Sequence, residues 1–446
     1  MKDKQQYTLT QAQMGIYLEC QDKGGDCYSL PYLYKFDHTL NPDRMCRAVE
    51  TALKAHPTIF TRLCIDDNGT PLQYIDEEEL SLRIEPLNGR APHDFIKPFQ
   101  LVGGRLFQVF LLEDEQHYYL LLNFHHIIYD GTSINILLHD IDAAYNGKPL
   151  EPEALALVDT VEEEKQLRAS AAYEKDKRWY ADNFSDAGEI NTSLMPDIPN
   201  TGKIACIERM LDTDLHAVES FCSVHGIYKS TLMTTAYAYL LARYNNVQAS
   251  FTRTVHSGRQ DKRLLRTLGM FVHSVPVYCL FDDDTTVMQL LLRQQELMTG
   301  CMEHGAYSFI DVVNDMHLMP DNTFAWHGGL FGDAELMGSP MQTIQLKPDK
   351  EEDRLYMKAY MRDGHIWVRV EYDEEYSEQL IEEFTDCYEA VVKSFALKKC
   401  KSAKCKSAFT YTKRSRHYCS DSSSDNIHKT ELLQTKVLNA GLCLQC

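Results

Sequence analysis

The chain has 446 residues, 44% apolar and 25% charged, the balance of a globular protein too long for one growing core, so two units of roughly 200 residues are expected. No apolar run approaches the roughly 20 residues that cross a bilayer, and the opening MKDKQQYTLT has no signal-peptide core, so the expected location is the cytoplasm. A formal charge of −20 excludes a phosphate backbone as a natural partner, and because residues 396–446 hold 10 basic against 3 acidic residues, the acidity belongs to the body.

In chain order, helix and strand signals alternate. Residues 9–20, LTQAQMGIYLEC, place Thr10 as a cap before a helical pattern at Ala12, Ile16 and Cys20. SLPYLYKFDHTL reads as a strand, and residues 41–57 as a helix turning Met45, Ala48, Val49, Ala52 and Leu53 inward. IFTRLCIDDNGTPLQYI is a hairpin with Asn68-Gly69 at its turn, and RLFQVFLLED is another strand. Residues 117–147 then run as a continuously apolar strand, a polar turn and an amphipathic helix, with Thr132 or Ser133 as the cap and Gly147 as the stop. A polar connector occupies 151–200, helical first and loop-like later. Beyond it come helices at 212–224, 230–244 and 286–300, strands in ASFTRTVHSG and HSVPVYCLF, a hairpin turning at Asp363-Gly364 and a helix over 377–395. The class is α+β: a first lobe at 1–165, a connector at 166–200, a second lobe at 201–396, and a basic tail at 397–446 whose Ser, Lys and Cys content points to disorder.

Nine of the 14 cysteines are scattered through the body and read as small buried hydrophobes, with no disulfide framework expected. The CxxC at 443–446 and the pair Cys400 and Cys405 match no standard zinc spacing, so no metal site is expected. The acidic runs EDEQ, DEEEL, FDDDTT and KEEDR read as solvated loops. GxSxG, P-loop and GxGxxG patterns are missing, which removes serine-hydrolase and nucleotide-binding readings.

Chemistry concentrates in HHIIYDG, residues 125–131. A single histidine at a strand end is more often structural than catalytic, but adjacent residues leaving a strand point to opposite sides, so one histidine can face a cavity while the other packs inward. Asp130 can lock the loop by charge. Gly131 lets the backbone approach a ligand, and its amide lies near a helix N-terminus, where an oxyanion or a thioester carbonyl is favoured. The combination suits acyl transfer.

HHIIYDG resembles the HHxxxDG motif of nonribosomal peptide synthetase condensation domains, members of the chloramphenicol-acetyltransferase-like superfamily. Companion segments resemble the same family in the right order: LTQAQMGIYLEC its opening motif, KAHPTIFTRL its second, LGMFVHSVPV its GxFVNT segment and HGAYSFIDVV the one after, together covering residues 7 to about 395. The resemblance implies two chloramphenicol-acetyltransferase-like lobes in a V-shaped pseudo-dimer with a tunnel between them. It implies a monomer with no bound cofactor, working beside adenylation domains, with donor and acceptor peptidyl carrier proteins presenting thioesters on phosphopantetheine arms. Carried over by position, His126 is the active-site histidine, while His125, Asp130 and Gly131 shape its loop.

Departures qualify this. The arginine that often ends the GxFVNT segment and pairs with the motif aspartate is Tyr278 here, so Arg62 is the first candidate for that partner, with Arg259 of HSGR as another. His273 replaces the usual Asn and reads first as a packed structural histidine, with tunnel lining, beside Ser274, as the alternative. An epimerisation domain would share the motif, whereas a heterocyclisation domain would have Asp for the first histidine. A stand-alone acyltransferase using a soluble amine or alcohol, or a catalytically silent carrier-docking domain, are the competing readings.

Overall fold

The run from Tyr119 to His125 is buried at every position, and a strand apolar on both faces has no place at a sheet edge. Accordingly His117–His125 is flanked on both sides, by Ser29–Asp37 and by Phe107–Glu113, both antiparallel. The structure, a computed structural model, describes residues 4–23, 28–190, 193–199, 201–318, 320–329, 334–344, 346 and 353–397. The expected tail lies beyond these residues from Lys398 onward, as does Cys27.

Two six-stranded sheets form the two lobes, and a three-stranded sheet of Tyr7–Thr8, Pro71–Ile75 and Thr61–Ile65 accompanies the first. The first large sheet runs, edge to edge, Ala334–Leu336, Ser339–Ile344, Ser29–Asp37, His117–His125, Phe107–Glu113 and Ile84–Pro86. The second runs His273–Leu280, Ala249–His256, Asn322–Gly328, Leu355–Arg362, His365–Asp373 and Ile204–Met210. Helices Gln11–Lys23, Pro42–Lys54 and Gly131–Tyr145 serve the first core, with Met45, Ala48, Val49, Ala52 and Leu53 inward as their spacing requires. Helices Leu215–His225, Lys229–Tyr244, Val287–Glu303 and Glu378–Leu397 serve the second.

Local signals hold where the backbone itself demands them. Thr10 and Gln13 exchange side-chain to backbone hydrogen bonds at 3.1 and 3.2 Å, a capping box that starts the first helix. At the 363–364 turn both residues have positive φ, +52° and +75°, the twist that a two-residue hairpin between right-twisted strands needs. The connector carries helices Leu157–Arg168 and Ala171–Phe184.

Six described strands escape sequence pattern: Tyr7–Thr8, Ile84–Pro86, Ile204–Met210, Asn322–Gly328, Ala334–Leu336 and Ser339–Ile344. They are set by their partners rather than by alternation. Ser339–Ile344 pairs back onto Ser29–Asp37, so chain from the second half completes the first sheet. Leu268 and Met270 likewise pack in the first core. Of the described body cysteines, none in a disulfide, six are buried and two, Cys64 and Cys206, only partly so.

Candidate active site

The central strand ends at His125, which pairs with Ser29, and a 3-10 turn, His126–Ile128, follows at once. The two histidines part as alternation requires. His125 has no exposed surface, its Nδ1 accepts from the Ile127 amide at 3.2 Å, and its ring meets Phe99 edge-on. His126 donates its backbone N–H to Tyr28 O at 2.8 Å and is only partly buried as a residue, although its Nδ1 is buried with no hydrogen-bond partner among the described residues. Protein nevertheless surrounds the ring, and burial holds its pKa below the ordinary histidine value; Asp130 and backbone groups of His126 and Tyr129 oppose that, while the Lys358 ammonium adds to the lowering. At neutral pH the imidazole is therefore uncharged. Tyr129 stacks on Phe124 with centroids 4.0 Å apart, which anchors the turn in the core.

Asp130 is the next fixed point. Its backbone is extended and its side chain caps helix Gly131–Tyr145, with Oδ1 accepting from Thr132 N at 3.1 Å and Ser133 N at 2.9 Å. The cap is thus Asp130 rather than Thr132 or Ser133. Asp130 Oδ2 accepts from Arg259 Nη1 at 2.6 Å and from the Phe271 amide at 3.1 Å, and Oδ1 from Arg259 Nη2 at 3.1 Å. Arg259 also reaches Ser257 O, Thr267 O and Ser133 Oγ at 3.1 to 3.2 Å and lies over the Phe271 ring. Both members of the pair are buried, with side-chain exposures of 2% and 0%. Gly258 makes this approach possible: it has φ +66°, and a Cβ there would stand 1.9 Å from Phe271 O.

The first-named partner for Asp130 is corrected. Arg62 lies on the small sheet between two buried residues, so its side chain points outward and pairs with Glu78 at 3.1 Å and Asp76 at 3.7 Å. Arg259, the second candidate, occupies the position. His273 keeps solvent-exposed surface rather than packing into a core, and it sits directly opposite His256 in the sheet. Enough protein stands around its ring that desolvation, and then His256, push its pKa down to about 4. Ser274 beside it is partly buried. A Cβ on Gly131 would meet no atom within 4 Å, so crowding inside the chain does not require glycine there.

Sequence reasoning missed the wall contributed by the second sheet. Leu355, Met357 and Ala359 face the second core, which turns Lys358 to the opposite face, where it pairs with Glu371 and where its charge acts on Tyr32 and His126 of the first lobe and on His327. No spacing links residues 126 and 358, and only the alternation of Leu355–Arg362 hints at a polar face. Among the described residues no group of three or more His, Cys, Asp and Glu side chains could hold a metal ion. No described helix is long and apolar enough to cross a membrane.

A two-lobed α+β fold, with a histidine at the end of a central strand and a buried ion pair between Asp130 and Arg259, defines the class. Residues 3–416 match the condensation domain family, and the chain belongs to it. It is 25% identical over 407 residues to bacitracin synthase 3 of Bacillus licheniformis, covering 86% of this chain and 6% of that protein. To tyrocidine synthase 2 of Brevibacillus parabrevis it is 28% identical over 324 residues, covering 70% of this chain and 9% of that protein. The chain thus spans a small fraction of the length of these relatives. The condensation domain from monacolin K polyketide synthase MokA superposes with a TM-score of 0.76 at 12% identity, covering 88% of this chain and 98% of that one. The first condensation domain of the calcium-dependent antibiotic synthetase gives 0.72 at 18% identity, with 88% and 97% covered.

Proposed function

We propose that the chain forms an amide bond between a donor acyl or peptidyl thioester and an acceptor aminoacyl thioester, each held on the phosphopantetheine arm of a carrier protein. His126 carries this reading: a partly buried imidazole, kept uncharged by its surroundings, with its Nδ1 buried and unpartnered among the described residues, at the end of the central strand. The acceptor nitrogen attacks the donor carbonyl carbon, the tetrahedral intermediate collapses with loss of the C–S bond, and the thiolate leaves with a proton. His126 accepts the ammonium proton or orients the free amine, effects of roughly 10² to 10⁴ in rate for proton transfer. The Gly131 amide, first in its helix, is available to a developing oxyanion. Asp130 and His125 fix the loop, and His273 and Ser274 line the approach to it.

In this reading the chain works in the cytoplasm as a monomer, beside carrier and adenylation domains, and binds no cofactor of its own. His126→Ala is expected to keep the melting temperature of the parent and to reduce dipeptidyl transfer between loaded carriers by about 10² or more. Unchanged turnover would remove His126 from catalysis. A free amine or alcohol accepted as readily as the carrier-bound amine would point to a stand-alone acyltransferase. Carrier binding with no transfer by the parent chain would make it a docking domain.

A further inference from the structure

The helix Gly131–Tyr145 is fastened a second time, far from Asp130, and this fastening contains a histidine. His56 follows helix Pro42–Lys54 and is 1% exposed; its Nδ1 lies 2.7 Å from Glu153 Oε1 and its Nε2 2.8 Å from Asp140 Oδ2. A neutral imidazole has one N–H and both partners only accept, so two hydrogen bonds require the imidazolium. Burial alone would lower the His56 pKa, but the bonds to Asp140 and Glu153 outweigh it and raise the value.

Asp140 stands about 15 Å along the helix from Asp130 at 1.5 Å per residue. Its Oδ1 pairs with Arg266 and lies 3.1 Å from His139 Nδ1, and Arg266 Nε reaches Glu151 Oε2 at 3.2 Å. Glu153 Oε1 also accepts from the Leu268 amide at 3.0 Å. The charged groups around His56 are therefore Asp140 from the motif helix and Glu153 from the stretch after it, with Arg266, His139 and Glu151 behind them. Arg266 and Leu268 belong to the same crossing segment, 257–271, whose Arg259 holds Asp130 and whose Gly269 amide donates to Ser133 Oγ at 3.1 Å. One segment grips one helix at its N-terminus and again ten residues on, at Asp140.

We infer that His56 is a positioning residue for the condensation reaction: as an imidazolium between Asp140 and Glu153 it holds the second half of the motif helix against the crossing segment, and so fixes where the loop bearing His126 stands. This rests on the function proposed above. Deprotonation leaves the two buried carboxylates with Arg266 as the remaining strong cation of the cluster, and the far fastening loosens. Because the folded pKa is raised, the contribution is complete below the ordinary histidine value and is lost as pH rises through the folded one. The rate should thus climb from acid pH as His126 loses its proton and fall at high pH as His56 does, a bell whose alkaline limb belongs to a residue that touches no substrate.

The test uses the full chain with loaded carriers and compares the parent, His56→Gln and Glu153→Gln for kcat and KM against pH, with amide exchange of residues 257–271 and an NMR titration of the His56 ring on the same preparations. Expected are an alkaline limb in the parent, its loss in His56→Gln with kcat about ten-fold lower and KM within about two-fold, and its displacement to lower pH in Glu153→Gln. Exchange in 257–271 should quicken in His56→Gln, and in the parent above the limb. His56→Gln with parental rate and an unchanged limb overturns the inference, as does a His56 ring that titrates at or below the ordinary histidine value. If the parent shows no condensation, the functional reading fails, and ring titration with exchange still decides the clamp. Should His56→Gln not fold, Glu153→Gln and the ring titration decide it.

Discussion

The motif helix is held by the same segment at two places, its N-terminus and Asp140 in its second half, with different chemistry. At the N-terminal end a guanidinium that stays charged at any working pH meets Asp130 in a bidentate pair, and backbone amides complete the carboxylate's shell. At Asp140, Arg266 is partly exposed, and the buried cation is an imidazolium whose charge depends on pH. Next to the reacting loop the fold uses a bond that does not titrate, and it places the titratable one at a distance. Geometry at the site is therefore most robust where it matters most, and pH acts through the remote end.

The largest expected effect breaks the near end. Arg259→Met leaves Asp130 as an unpaired buried charge, which should cost about 3–5 kcal/mol and abolish transfer, measured by thermal melts and carrier-to-carrier assay. Arg259→Lys keeps the charge without the fork and should fall between parent and Met variant. At the far end, the melting-temperature gap between parent and His56→Gln should reflect about 1–3 kcal/mol below the ordinary histidine pKa and close as pH rises through the raised value; a gap independent of pH would remove the imidazolium from the account. Smaller is Tyr129→Phe. The hydroxyl is fully buried with no hydrogen-bond partner among the described residues, so its removal should leave stability equal or raise it by about 1 kcal/mol, with the ring stack intact. Smallest is Arg62→Ala, a partly exposed pair with Glu78 on the small sheet, expected to change stability by less than about 1 kcal/mol and the rate not at all. A large loss there would mean that Arg62 supports the site after all.

Elements with local causes were legible in the sequence. The HYYLLLNF run, the spacing of Met45 to Leu53, the Thr10 cap and the Asp363-Gly364 turn all act within a few residues, and each forms where its pattern predicts. HHIIYDG was legible as a unit for the same reason, down to one histidine fully buried and one only partly so. The partner of Asp130 was not, because 129 residues separate it from Arg259 and an aspartate's sequence neighbours do not say which arginine the fold will return. Arg62 was excluded only by the side of its strand, which depends on a register set by Pro71–Ile75. Lys358 was invisible, and His56, although it stands in KAHPTIFTRL, gave no sign of its partners, because the meaning of both lies in which lobe or helix they face.

The hairpin Ala334–Ile344 has a consequence for how the chain must be made. Its second strand pairs with residues 33–35 of Ser29–Asp37, which would otherwise be an open edge beside the central strand, and Leu268 and Met270 fill part of the same core. As the polypeptide emerges from a ribosome, the first sheet must wait for residue 344 before it closes, with an unpaired edge exposed in the interval. A gene fragment ending after the connector would encode a half-closed sheet prone to sticking to its own copies. Exchange of whole lobes between relatives would succeed only when that hairpin travels with the sheet it completes.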